Sequence, residues 1–203
     1  MADKMRALQA DIGFLKALAE EGRASPLLGG SILVAAGAIY AVASVTDWAV
    51  YTGRIAAAPW ALPAIWGGAS VVFVIALWLI RARHAKWAGP ANRAAGLAWR
   101  GVGWTIFTLV VSAMLAAWRA QSPVPFLMLP SAVMALYGLG WMVVAAVSRK
   151  RWIWLTSAGS YTAAIALAAF CTLPAVYLLY AAALILLAVV PGAVLMRQAA
   201  KAG

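Results

Sequence analysis

The stretch LPAIWGGASVVFVIALWLIRAR, residues 62–83, carries no charged side chain before its two closing arginines. An apolar run of about 20 residues is as long as a helix must be to cross a hydrocarbon core about 30 Å thick. Proline is tolerated at the start of such a run, because the first turn of a helix leaves its N–H groups without partners. The stretch therefore predicts a transmembrane helix that begins near Pro63 and ends on basic residues.

Similar apolar runs occur along the whole chain, at 27–45, 61–80, 98–118, 127–147, 152–171 and 176–196. Of the 203 residues, 66% are hydrophobic and 10% are charged, whereas roughly a quarter of the residues in a soluble domain carry charge. The runs are continuous rather than alternating in polarity, which excludes the strands of a membrane barrel. We therefore predict an all-α polytopic bundle of six transmembrane helices.

The Leu-Pro start of the stretch recurs at two other spans, as LPSAV at 129–133 and LPAVY at 173–177. Each proline opens an even-numbered span, which favours three helical hairpins in parallel repetition. The unequal spacing of the prolines leaves chance similarity between Leu-rich helices as the alternative. A further proline, in Pro191-Gly192, interrupts the last span and predicts a kink there.

The net charge of +11 is distributed unevenly. Basic residues gather before the first span, in the second and fourth connections and in the tail, whereas only Arg54 and Arg119 fall on the other side. The positive-inside rule therefore predicts cytoplasmic termini, with a cytoplasmic helix at 1–25, a transmembrane domain at 26–197 and a cytoplasmic tail at 198–203. Since topology among membrane lipids accounts for the charge, we predict no nucleic-acid partner.

Residue types that perform catalysis or bind metals are scarce. The chain has one cysteine, Cys171, and one histidine, His84, so it lacks the ligand sets of zinc and haem sites. Four of the five acidic residues precede the first span, which leaves Asp47 alone in the rest of the chain. Paired carboxylates and a hydrolytic triad are therefore missing. The sequence predicts no enzyme, no metal site and no cofactor.

Asp47 lies at the outer end of the first span, in SVTDWAVYTGR at 44–54. An ion pair with Arg119, at the outer end of the third span, would join two helices at the membrane surface. The alternative is that both side chains are solvated among the lipid headgroups, because exposed ion pairs contribute little to stability.

Hydroxyl side chains form two clusters inside the spans, Thr105, Thr108 and Ser112 in the third and Thr156 and Ser160 in the fifth. Two interpretations stay open: the hydroxyls line a polar pathway, or they bond back to carbonyls of their own helices. Arg100, between Trp99 and Trp104, is a candidate contact for a lipid phosphate at the inner leaflet, with simple snorkelling as the alternative.

Small residues recur along the first span as Gly30, Gly37 and Ser44. This spacing lets helices approach one another closely. It serves contacts inside the bundle or contacts with a second copy of the chain, and the sequence does not separate the two.

The amino-terminal segment MADKMRALQADIGFLKALAEEGR, residues 1–23, predicts an amphipathic helix. Met5, Leu8, Ile12 and Leu15 recur at steps of three and four. The charges around this apolar stripe cancel, whereas a helix that lies on anionic lipid is normally rich in Lys and Arg. We therefore predict that the stripe binds another protein subunit, the alternative being that it folds back on the cytoplasmic loops.

The junction EEGRASPLLGG, residues 20–30, resembles the entry to the first span in a family of uncharacterised bacterial six-helix inner-membrane proteins. The resemblance covers the first quarter of the chain; it implies the bacterial inner membrane and no activity. The six predicted helices are also similar in number to those of mitochondrial carriers. The odd spans here end in ASVTDW, LAAWRA and LAAFCT without the proline and charge signature of those carriers, so that likeness covers topology alone.

These observations predict a non-enzymatic accessory or anchoring protein that binds a protein partner, which is another subunit or a second copy. The alternative is a small channel or transporter for a weakly charged or apolar solute. A polar stripe from the third and fifth spans along one continuous cavity would favour transport, whereas a filled interior would favour the accessory role.

Overall fold

The computed structural model of the protein describes residues 29–58, 60–83 and 90–201. The described residues form helices and short connections, and none of them lies in a strand. The helices are α1 (Gly30–Tyr51), α2 (Ala61–Arg83), α3 (Pro90–Ala120), α4 (Val124–Leu127), α5 (Leu129–Ser148), α6 (Arg151–Ala169), α7 (Val176–Leu184) and α8 (Val190–Ala200). A π-helical segment, Ile185–Val189, joins α7 to α8.

The all-α prediction is confirmed for the described residues. Five helical segments are long and apolar enough to cross a membrane, Gly30–Tyr51, Ala61–Ala82, Asn92–Ala120, Val124–Ser148 and Val176–Ala200. The predicted span at 152–171 corresponds to α6, which has 19 residues and is not among these five. Its hydroxyl and small residues reduce its hydropathy, so the count of six spans stays a prediction. The predicted amino-terminal helix lies outside the described residues.

Two of the helices are peripheral. α2 packs on α1 and α3 packs on α5, while α1 also contacts α7, the π-helical segment and α8. α6 lies along α5 and touches α7. None of the α2 span is buried and 11% of the α3 span is, against 39% for α1 and 44% for the α7–α8 span. The centre of the bundle is therefore formed by α1, α5, α6 and the last span.

The predicted hairpin partners do pack against each other, although the last span contacts α1 more extensively than it contacts α6. Pro130 occupies the first turn of α5, as predicted. Pro63 is the third residue of α2, and Pro174 lies two residues before α7. The three-hairpin repeat itself stays a prediction.

The small residues of α1 pack within the bundle. A Cβ atom on Gly30 would overlap the carbonyl oxygen of Gly192 in α8. A Cβ atom on Gly37 would lie 2.7 Å from Cγ2 of Val189 and 3.0 Å from Cβ of Ala188. Ser44 is fully buried against α7. Of the two interpretations of this spacing, the structure supports close packing between α1 and the last span.

The last span accommodates its proline through a neighbouring helix. Pro191 has no N–H and therefore cannot donate to the carbonyl of Leu187, four residues earlier. Nε1 of Trp141, in α5, donates a hydrogen bond to that carbonyl oxygen at 2.8 Å. The backbone just before the proline is π-helical at Ile185–Val189. Neighbouring helices commonly satisfy backbone groups that proline frees inside a membrane.

Candidate functional site

The hydroxyls predicted in the third span point outward. Thr105, Thr108 and Ser112 are all exposed on α3. Thr105 Oγ1 donates to the carbonyl of Gly101 and Thr108 Oγ1 to that of Trp104, both at 2.9 Å. The hydroxyls of Thr105 and Thr108 therefore bond to carbonyls of their own helix, which is one of the two interpretations.

The hydroxyls predicted in the fifth span are instead buried in α6. Thr156 and Ser160 are 8% and 0% exposed. Ser160 Oγ donates to the carbonyl of Thr156 at 2.9 Å, and the neighbouring Ser157 Oγ donates to that of Gly138 in α5 at 2.7 Å. The structure does not bring the two clusters together along a common pathway, because α3 presents its hydroxyls to the outside of the bundle.

Asp47 is the centre of a polar site between helices. It is 4% exposed, although it lies only four residues before the end of α1. Nε1 of Trp66, in α2, donates a hydrogen bond to Oδ2 of Asp47 at 2.8 Å. The other oxygen, Oδ1, is buried and has no hydrogen-bond partner. A carboxyl group with one neutral donor and one unpartnered oxygen is rare in a packed interior.

Further hydrogen bonds connect the helices around Asp47. Ser44 Oγ donates to the carbonyl of Tyr177 in α7 at 2.7 Å. The Tyr40 hydroxyl donates to Ser70 Oγ at 3.3 Å, and Ser70 Oγ donates to the carbonyl of Trp66 at 2.8 Å. We call these side chains the Asp47 cluster: Tyr40, Ser44, Asp47, Trp66, Ser70 and Tyr177. It is formed where α1, α2 and α7 meet.

Aromatic rings enclose the cluster. Tyr40 stacks on Trp66 with 6.3 Å between ring centroids, and Trp66 lies 6.4 Å from Tyr180. Toward the end of α1, the Tyr51 and Tyr177 rings are 6.1 Å apart. Asp47 itself is 4% exposed, so its carboxyl group lies within the packed contact between these helices.

The ion pair predicted between Asp47 and Arg119 is not formed. Asp47 accepts its hydrogen bond from Trp66, and Arg119 is exposed at the end of α3. The physical reason is the packing order, since α3 packs on α5 while Asp47 faces α2 and α7. Arg54, the other cation predicted on that side of the membrane, lies over the ring of Trp48, with 4.4 Å from Cζ to the ring centroid.

A second aromatic group fills the space between α3 and α5. Trp99 meets Tyr137 and Trp141 edge-on, with centroid distances of 5.3 and 5.2 Å. The neighbouring Arg100 is exposed on α3, and Trp104 is exposed as well. The contact of Arg100 with a lipid phosphate stays a prediction that this exposure permits.

At the other end of the bundle, Lys150 connects the α5–α6 turn to α8. Its Nζ donates a hydrogen bond to Oε1 of Gln198 at 2.5 Å. Partial burial lowers the pKa of Lys150 below that of a solvated lysine. The two residues between α5 and α6 are therefore tied to the end of the last span.

An open groove of about 480 Å³ lies on the outside of the bundle between α1 and α2. Its lining residues are apolar apart from Thr46, whose hydroxyl donates to the carbonyl of Val42 at 2.9 Å. The groove and the Asp47 cluster are formed by different residues of α1 and α2.

The predicted partner-binding residues Met5, Leu8, Ile12 and Leu15 lie outside the described residues, as does His84. Among the described residues, no group of three His, Cys, Asp or Glu side chains could hold a metal ion. The chain matches no protein-family model, no curated protein and no solved structure. Its function therefore has to be inferred from the structure itself.

Sequence reasoning missed the partner of Asp47. Trp66 is the fifth residue of the apolar stretch at 62–83, where an indole N–H needs an acceptor. Asp47 is the one acidic side chain after residue 21. The sequence feature that could have identified this pair is an acidic residue without a cation in its own span, followed in the next span by a tryptophan inside the apolar run.

Proposed function

We propose that the protein is a non-enzymatic accessory protein of the bacterial inner membrane that binds another membrane protein side by side within the bilayer. In this proposal all six predicted spans cross the membrane and both termini are cytoplasmic. The observation that carries the proposal is a bundle interior packed with large apolar side chains, next to an open apolar groove on the surface between α1 and α2.

The interior of the bundle is occupied by large apolar side chains. Trp141, Met134, Ile153 and Leu167 are each 0% exposed, and Leu184 is 1% exposed. The hydroxyls that were candidates for a pathway are divided between the outside of α3 and the closed α5–α6 contact. A filled core of this kind supports an accessory role over a channel.

The groove between α1 and α2 has the composition of a helix-packing surface. Its floor consists of small residues, among them Ala43 and Ala69, and its rim includes Val42 and Val72, which are 68% and 53% exposed. Small residues let a second helix approach closely in lipid, where van der Waals packing drives association. α2 contacts no other described helix as extensively as α1, so its remaining surface is free for a partner.

Site-specific photo-crosslinking in native membranes tests this proposal. A photoreactive residue in place of Val42, or of Val72, should give a protein adduct of the same mass from both positions. Ile165 on α6, which is 73% exposed, is the matched control and should give lipid adducts only. Identical adduct patterns at all three positions would refute a partner seated in the groove.

The alternative, a small channel, requires a water-filled path past the hydroxyls of α6. Thr156→Cys and Ser160→Cys, each made in a Cys171→Ala background, should not react with a membrane-impermeant thiol reagent. Reaction at both positions from one side of the membrane would favour the channel and argue against the accessory role.

The proposed orientation has its own test. A phosphatase reporter fused after Gly203 should be inactive, because the positive-inside rule places the tail in the cytoplasm. The same reporter inserted near Gln121, between the third and fourth predicted spans, should be active. The opposite pair of results would invert the topology without bearing on the groove.

A further inference from the structure

Asp47 is a buried acidic side chain without a counter-charge, and the proposed accessory role does not explain it. It is the one acidic residue in the described part of the chain, and it is 4% exposed. An ionised carboxylate in an apolar environment is stable only when it is paired with a cation or receives several hydrogen bonds. The structure gives Asp47 a single neutral donor, Nε1 of Trp66.

The groups around Asp47 supply no counter-charge. The titratable side chains described around it are Tyr40, Tyr51, Tyr177 and Tyr180, and all four carry uncharged hydroxyls. Arg54 is placed over Trp48. The basic side chains described on α2 and α8, Arg81, Arg197 and Lys201, stand at or beyond the ends of those helices away from Asp47.

We infer that Asp47 is a proton-binding site, in which the packed bundle holds a proton on Oδ1 while Oδ2 accepts the hydrogen bond from Trp66. The geometry fits the neutral acid, because Oδ2 is then the carbonyl oxygen and Oδ1 carries the hydroxyl. An unpartnered hydroxyl costs far less in an apolar interior than an unpartnered charge. Ionisable groups inside membrane helices are functional-site candidates for this reason.

Release of the proton to water would leave a carboxylate with one hydrogen bond. The new charge would favour contact of Oδ1 with water or a cation over its present packed position. Since Trp66 of α2 donates the one hydrogen bond to Asp47, and α2 packs mainly on α1, we expect the protonation state of Asp47 to affect the contact between α1 and α2. This inference does not depend on the proposed function, because no residue of the Asp47 cluster lines the groove.

Infrared spectroscopy of the full chain in lipid nanodiscs tests the inference directly. At about pH 7, where a solvated aspartate is ionised, the wild type should show the C=O stretching band of one protonated carboxyl group. Asp47→Asn should remove that band. Asp11→Asn, at an acid of the amino-terminal segment, is the matched control and should leave it. A spectrum without a band that depends on Asp47 would overturn the inference.

Two further variants keep the test decisive if Asp47→Asn does not fold. Trp66→Phe removes the donor to Oδ2 and should shift the band to higher frequency, since the carbonyl loses its hydrogen bond. Asp47→Glu should move the band without removing it. An unchanged band in both variants would show that the protonated group is elsewhere and would refute the assignment.

A pH series supplies an independent readout. The folded bundle holds a proton that the unfolded chain releases, so the unfolding midpoint of the wild type should fall as the pH rises from about 5 to about 9. The midpoint of Asp47→Asn should fall less over the same range. Equal slopes for the two proteins would contradict a proton held at Asp47.

Discussion

The hydrogen bond between Trp141 and the last span allows a quantitative prediction. Trp141 is 0% exposed, and its indole N–H donates to the Leu187 carbonyl that Pro191 cannot reach. Trp141→Phe keeps an aromatic ring beside Trp99 and removes the donor. Loss of such a hydrogen bond costs about 0.5–1.5 kcal/mol. The reduced ring packing adds about 0.5–1.5 kcal/mol.

The proline provides the control for the hydrogen-bond contribution. In a Pro191→Ala background, residue 191 has an N–H that can donate to Leu187, so the indole is no longer the required donor. Trp141→Phe should then cost only the packing contribution. The double variant should therefore be more stable than the sum of the two single effects predicts, by about 0.5–1.5 kcal/mol.

Reversible unfolding by a denaturing detergent, followed by circular dichroism, measures the four proteins of this cycle. Strict additivity of the two substitutions would refute the reasoning, because it would mean that Trp141 does not replace the hydrogen bond that Pro191 lacks. An effect of Trp141→Phe smaller than the packing contribution would refute it equally.

Three further predictions use other parts of the chain. Gly37→Ala should destabilise the bundle by about 1–3 kcal/mol in the same unfolding assay, whereas Gly67→Ala, where a Cβ atom meets nothing within 4 Å, should not destabilise it. Burial lowers the pKa of Lys150, so the folded protein releases that proton more readily than the unfolded chain does. The wild type should therefore gain stability relative to Lys150→Gln as the pH rises toward about 10. A difference in stability that stays constant with pH would contradict this. Changing Leu8 and Ile12 to Asp should release a partner that co-purifies through the amino-terminal stripe while the bundle stays folded, and an intact complex would exclude that contact.

The sequence by itself determined the class of the protein and the position of most of its helices. The apolar run at 127–147 predicts α5 to within two residues, and the run at 61–80 begins where α2 begins. The reason is that every backbone group in a membrane must be satisfied within the helix, so a continuous apolar run of sufficient length has one regular structure open to it. Pro130 marks the start of its helix for the same local reason.

Only the tertiary structure decided which helices are neighbours and which side chains meet. In lipid the buried and the exposed faces of a helix are both apolar, so hydrophobic periodicity does not identify the packed face as it does in a soluble protein. Thr105 and Thr156 therefore look alike in the sequence, yet one is exposed and the other buried. Asp47 pairs with Trp66 rather than Arg119 because α1 packs between α2 and α7. This packing order depends on the fit of small residues such as Gly37, and the hydropathy of a single span does not predict it.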